Sequence, residues 1–346
     1  MIEIDGSAKS GSGTILRYAV ALSSLLGEGL HMTNIRAKRD KPGLRPQHLA
    51  SVTACAQMCG ARVEGAEVNS REITYIPGGG TKGGFYQWDI GTAGSTTLLV
   101  MTLLPIALFA REETTLKISG GLFQDFAPSA HHVQHVLLPT LGKMGVPAQL
   151  EVVRPGYVPR GGGIIQVSIK PVAGSLKPLE LTVQGKVEKI SGLALSSHLK
   201  ERRVSHRMAQ ECQKVLAERG YQAQIETVYD ETALQSGASL ALWAETDTGC
   251  LLGSDQAGKR GRSSEEIGIN VAQSLLDDLA TGATVDRHLA DQLIIYAALA
   301  KGTTEYTIPR LTEHVGANLW LVEKLGARTR LEGNNLYIEG LGYARN

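Results

Sequence analysis

The chain has 346 residues, of which 42% are hydrophobic and 20% charged, enough apolar content to bury a large core and far from the disordered range. Lys and Arg number 35 against 34 Asp and Glu, a net charge of +1, which excludes bulk attraction to nucleic acid or acidic lipid and confines any polyanion site to a local cluster. Aromatics at 5% beside 40 glycines argue against an aromatic stacking surface and for many tight strand-to-helix turns, with backbone rather than rings meeting a ligand.

In chain order, a strand at 2–5 is followed by a Gly/Ser loop and a helix carrying apolar Ile15, Leu16, Val20, Leu22 and Leu25. A strand at 31–37, a basic loop, a helix from Gln47, and strands at 61–68 and 72–76 complete a βαβαββ order. The same grammar restarts roughly 85 residues later, an offset long enough for a whole supersecondary unit. It runs as a strand at 86–90, a GTAGS turn, an apolar helix, a strand at 115–118, a helix from Ala130, and strands at 148–153 and 164–169. A third pass has helices at 289–300 and 314–325, a strand at 306–308 and two short strands ending near Ile338, with its opening strand set back at 179–183. The stretch between has helices at 201–218 and 264–280 and strands at 222–228 and 239–245, enough for a small domain. The expected fold is therefore α+β: three βαβαββ repeats over 1–183 and 285–346, with a small α/β domain inserted at 184–284.

Cys55, Cys59, Cys212 and Cys250 are scattered without paired metal spacing, which points to a reducing, cytoplasmic setting rather than to disulfides or zinc. MIEIDGSAKSGSG lacks the basic and apolar regions of a signal peptide, and Thr102 and Pro105 break the longest apolar run, 98–110. No membrane span is expected.

The second helix of each pass follows an irregular loop: KRDKPGLRPQ, GLFQDFAPSA and IPRLTEH. Packed about a pseudo-threefold axis, three such helix starts would converge, offering unpaired N–H groups and positive dipole ends to a phosphate. The stretch 36–45 adds five cations and one acid within ten residues, a cradle for phosphate unless it is a solvated loop. The turn at 5–14 with Arg17 is similar to a phosphate-binding turn but lacks GxxxxGK[ST]. His314 follows Thr312, a candidate N-cap, and is kept off the stripe Val315, Leu319, Val322 and Leu325. It is either a capping-turn surface residue or, facing an anion as a neutral imidazole, a nucleophile toward phosphorus. His131 and His135 have metal-ligand spacing without an intervening carboxylate. Asp286 is a candidate N-cap for the helix carrying His288, Asp291 and Gln292.

These residues resemble the RNA 3′-terminal phosphate cyclase family, particularly its archaeal and eukaryotic-like branch. The matching segments run in family order over nearly the whole chain: IDGS and ILR (4–7, 15–17), IRAKRDKPGLRPQHL (35–49), IGTAGS (90–95), SGG (119–121), RPGYVPRGGG (154–163), GKRGRSSEEIG (258–268), VDRHLADQL (285–293) and TEHVGAN (312–318). The resemblance implies an enolpyruvyl-transferase-like three-repeat fold and a ligase-type nucleotidyl transfer. In that chemistry a histidine, here His314, takes AMP from ATP, passes it to an RNA 3′-phosphate, and the 2′-hydroxyl displaces it to leave a 2′,3′-cyclic phosphate. It implies ATP and phosphate contacts at Arg17, Arg39, Gln47, Met101, Pro128 and the run His288, Leu289, Ala290, Asp291 and Gln292, with His288 where some members stack an aromatic on adenine. ATP, Mg²⁺ or Mn²⁺, RNA 3′-phosphate ends and a possible homodimer follow from the same resemblance; the metal ligands are unknown.

Two positions depart from the family. Where GEGGGQ is usual the chain has Lys9-Ser-Gly-Ser-Gly-Thr14, placing Ser10 at the metal-side glutamate, and Met101 stands for a glutamine after IGTAGS. Both departures remove metal or ATP contacts. They favour the alternative of a catalytically weakened, cyclase-like RNA-binding protein, while His314 and HLADQ favour the enzyme; enolpyruvyl transfer is a third reading that rests on fold analogy alone.

Overall fold

The computed structural model describes residues 1–345. The first unit contains β1 (Ile2–Asp5), α1 (Gly13–Leu26), β2 (Leu30–Thr33), α2 (Pro46–Cys59), β3 (Arg62–Glu64) and β4 (Ile73–Ile76). The second contains β5 (Gly84–Asp89), α3 (Thr96–Leu108), β6 (Thr114–Gly120), α4 (Ala130–His132), a π-helical turn (Val133–Leu137), α5 (Leu138–Lys143), β7 (Ala148–Arg154) and β8 (Gly163–Ile169). Next come β9 (Glu180–Leu181) and a segment of its own: β10 (Val187–Ser197), α6 (Val204–Ala217), β11 (Ala223–Asp230), β12 (Gly237–Thr246), β13 (Leu251–Ala257) and α7 (Ser264–Ala280). The chain closes with α8 (Leu289–Gln292), α9 (Ile294–Leu299), β14 (Thr303–Thr307), α10 (Glu313–Lys324), β15 (Arg328–Glu332) and β16 (Asn335–Glu339).

The repeat is visible in the hydrogen-bonded ladders. The sheets run β1-β2-β4-β3, β5-β6-β8-β7 and β9-β14-β16-β15. In each, the first pair is parallel across a helical crossover and the other two pairs are antiparallel. A parallel pair needs a long crossover and an antiparallel pair only a short turn, so one βαβαββ order yields one sheet topology three times. The fourth sheet, β11-β10-β12-β13, carries α6 and α7 packed together. The architecture is α+β with several small mixed sheets.

Helix packing inside the three units places the core and corrects one expectation. Helix α1 is buried from Gly13 through Leu25, not along one stripe, and α3 is buried at every position but Leu98. A helix apolar on all sides lies inside a protein, and these two pack against each other, with α2 on both and α10 on α1. Strand ends also move. The strand expected at 31–37 stops at Thr33 because Asn34 and Arg36 turn with φ of 51° and 54°, and 61–68 shortens to β3. The helix expected at 289–300 is split into α8 and α9, while β10 and β13 carried no earlier expectation.

Candidate phosphate-binding site

The helix starts of the three units do meet. One cavity of about 780 Å³ is lined by Ser12, Gly13, Thr14, Arg17 and Tyr18 at the start of α1, Gln47 and His48 in α2, and Leu98 and Met101 in α3. Gln124 to Pro128 before α4, His288, Asp291 and Gln292 at α8, and His314 at α10 complete the wall from the three units. The fourth sheet contributes Asp255, Gln256, Ala257, Lys259 and Arg262, and the basic loop supplies Arg36 and Arg39. The caps follow sequence chemistry: Thr312 Oγ1 accepts from the Val315 N–H at 3.2 Å and Ser129 Oγ from His132 N–H at 3.1 Å.

Close backbone approach shapes the floor. A Cβ on Gly13 would lie 2.2 Å from His48 Nε2, so only glycine lets α1 begin against α2. His48 Nδ1 accepts the Arg45 N–H at 3.2 Å. Burial, with Arg17, Arg36 and Arg45 nearby, pushes its pKa down to about 3, so this ring is a neutral structural cap.

The electrostatics call for an anion. Arg17 is 8% exposed, and its guanidinium donates to Thr14 Oγ1 at 3.0 Å while making no ion pair among the described residues. A buried cation without a partner costs several kcal/mol, a cost that a bound phosphate would offset. Asp291, the nearby acid, is itself pushed up to about 7 by burial, against the pull of Arg17. His314 is exposed at the cavity wall. Its pKa is lowered by desolvation first and then by Arg17 and Arg39, which keeps the imidazole neutral with a free lone pair at neutral pH.

Asp286 holds the far wall in register. It is fully buried; Oδ1 accepts from the His288 and Leu289 N–H groups at 2.8 Å each, and Oδ2 accepts from Gly253 N–H at 2.8 Å and His132 Nε2 at 3.1 Å. Burial opposes both charges, yet the pairing raises the pKa of His132 and lowers that of Asp286. One carboxylate thus ties α4, β13 and α8 together. A Cβ at Gly253 would lie 2.6 Å from Val136 Cγ2 and 2.8 Å from His132 Cδ2, so glycine is needed for β13 to reach it. Asp286 was expected only as an N-cap; its partners are 33 and 154 residues away in sequence, and no local pattern reveals them.

Of the residues singled out from sequence, Arg17, Arg39, Gln47, Met101, Pro128, His288, Asp291, Gln292 and His314 line this cavity. Leu289 and Ala290 do not: both are fully buried, where Leu289 N–H meets Asp286 and the Ala290 carbonyl accepts from Tyr306. His131 and His135 serve packing instead of ligation. Their ring centroids are 6.3 Å apart, His131 leans on Phe123, and His135 stacks on Trp243 at 4.1 Å. Among the described residues no group of three His, Cys, Asp or Glu is placed to hold a metal, and Ser10 Oγ donates to Ser12 Oγ at 2.9 Å.

Fold and cavity together define a three-unit α+β protein with an arginine-lined cavity where the units meet. Residues 8–330 match the family described as RNA 3′-terminal phosphate cyclase, and the chain belongs to that family. Relatives bearing that name include one from Caldivirga maquilingensis, 42% identical over 97% of this chain and 95% of its own. Another, from Pyrobaculum neutrophilum, is 39% identical over 99% of both. Among solved structures, the enolpyruvyl transferase NikO from Streptomyces tendae covers 98% of this chain and 51% of its own at 15% identity, with a TM-score of 0.29.

Proposed function

We propose that this protein converts RNA 3′-phosphate ends to 2′,3′-cyclic phosphates at the expense of ATP, through His314. The neutral imidazole attacks the α-phosphorus of ATP, a P–N bond forms as the P–O bond to pyrophosphate breaks, and the ring proton leaves to solvent. An RNA 3′-phosphate oxygen then takes the AMP from His314, and the adjacent 2′-hydroxyl attacks the 3′-phosphorus, expelling AMP and losing its proton. Arg17, Arg36 and Arg39 neutralise the triphosphate, Gln47 and Gln292 offer it hydrogen bonds, and Pro128, Met101 and His288 flank the adenine. Leu289 and Ala290 act only by carrying the backbone of α8. A divalent ion bound with ATP would neutralise the leaving pyrophosphate; of the cavity carboxylates Asp291 and Asp255 would hold it, Asp125 being paired with Arg262 and Lys259.

The observation that carries the reading is the buried, unpaired Arg17 in the same cavity as a neutral His314. Incubation with α-labelled ATP tests it: labelled protein whose bond is acid-labile and base-stable is expected. The second reading, a weakened RNA-binding relative, is favoured by the buried thioether of Met101 and by Ser10 at the departed positions. It predicts RNA binding with no label.

A further inference from the structure

One ring at the cavity has no role in that chemistry. Phe126 is fully exposed, at 104% of its reference area, and its backbone sits in the left-handed region with φ of 69°. Bulky side chains avoid that region, which glycine and asparagine fill readily. The ring gains no burial in return. Phe85, also exposed, lies in the regular edge strand β5, where exposure needs no such backbone.

The loop around Phe126 is held on both sides. Asp125 Oδ1 and Oδ2 accept from both terminal nitrogens of Arg262 at 2.9 and 3.1 Å, and Oδ2 also accepts from Lys259 at 3.3 Å. Beyond the ring, the Pro128 carbonyl accepts from Thr97 at 2.7 Å and Ser129 N–H donates to Asp255 at 2.7 Å. The loop is therefore anchored to α3 and to the fourth sheet, and the ring is presented at the rim of the cavity on a fixed base. A flat apolar face open to solvent is what an unpaired nucleobase stacks on, with the phosphates following the cations that line the cavity. A nucleoside triphosphate fits inside the cavity, whereas a polynucleotide whose end is inside must cross the rim on its way out.

We propose that Phe126 is a stacking platform for an unpaired base near the 3′ end of the RNA, a binding subsite outside the nucleotide pocket. It rests on the cyclase reading only for the identity of the polymer. The test uses an oligoribonucleotide with a 3′-phosphate and a series of copies carrying one abasic residue at successive positions from that end. Phe126→Ala should raise the RNA concentration for half-maximal cyclisation about tenfold, the range of one base–aromatic stack, and Phe126→Trp should restore it. One abasic position should weaken the parent to the same extent and Phe126→Ala no further. The ATP concentration for half-maximal labelling without RNA should be the same in parent and Phe126→Ala. If the loss falls on ATP instead, the ring serves adenine and the proposal fails; it also fails if alanine and tryptophan behave alike or if no abasic position interacts with the substitution. A parent that takes no label from ATP overturns the cyclase reading alone. The same comparisons, read by direct binding of the oligonucleotides, then decide whether Phe126 stacks.

Discussion

At the scale of single residues, the proposed chemistry depends on a neutral His314 and a charged Arg17. His314→Asn should abolish AMP labelling while leaving the melting temperature nearly unchanged, since an exposed helix-start side chain contributes little to stability; retained labelling would remove the nucleophile assignment. Because desolvation, Arg17 and Arg39 lower the pKa of His314, the acid limb of labelling should lie below pH 6.5, the ordinary histidine value. Arg39→Ala removes one repelling cation and should move that limb upward; an acid limb at the same pH in parent and variant would contradict the account. Asp291 bears the opposite sign. Its carboxyl is raised from 3.8 to about 7 by burial, so the folded state holds a proton that the unfolded chain releases. The contribution favouring the fold is complete below pH 3.8 and is lost as the pH rises through about 7. Asp291→Asn should therefore melt higher than the parent at pH 8, by a few degrees, with the advantage shrinking toward pH 5, even though it loses labelling. A pH-independent difference would show that burial of this acid is not the cause.

At the scale of elements, two short helices, α4 and α8, and the strand β13 must meet within hydrogen-bonding distance, and Asp286 is where they do. Replacing one partner of a buried pair leaves the other uncompensated, at a cost of about 3–5 kcal/mol. Asp286→Asn also sets an amide against the Gly253 N–H. The variant should be less stable by that order and, assayed well below its melting point, should need more ATP for half-maximal labelling while reaching the parental maximum. A fall in the maximum with unchanged half-saturation would argue that Asp286 acts on the reacting atoms instead. These contacts mark what the sequence could show. The basic loop and the caps Thr312 and Asp286 were legible because their signal lies within ten residues. The second partner of the Asp286 network was not, because His132 is 154 residues away, and the apolar positions read on α1 were incomplete because burial on all sides depends on neighbours from two other units. Strand β9, two residues long, has no periodicity to read; its place followed from the repeat.

At the scale of the whole molecule, repetition was the most legible feature: a βαβαββ order written three times specifies three copies of one sheet without any residue-level contact. The cavity uses that symmetry and breaks it, since each unit supplies a helix start but only the fourth sheet brings Asp255, Lys259 and Arg262 to the wall. The low aromatic content argued against a stacking surface, and composition cannot reveal a single ring such as Phe126 placed at the rim. Because no unit lines the cavity alone, a ligand bound there should fasten the fourth sheet to the other three. The bridge on the protein side is the Asp125–Arg262 pair, whose Arg262 side chain is 9% exposed and whose Asp125 side chain is 31% exposed. Arg262→Ala should lower the melting temperature of the free protein modestly, as a partly exposed ion pair contributes on the order of 1 kcal/mol. Its larger effect should be on the rise in melting temperature produced by α,β-methylene-ATP with Mg²⁺, an analogue that cannot transfer AMP. Ligand at a hundred times its dissociation constant stabilises by about 2.7 kcal/mol, and a tenfold weaker complex forfeits about 1.4 kcal/mol of it. The ligand-induced shift should thus fall to about half in Arg262→Ala at that concentration. Equal shifts in parent and variant would mean that the nucleotide is held by the three units alone, and that the fourth sheet meets only the RNA.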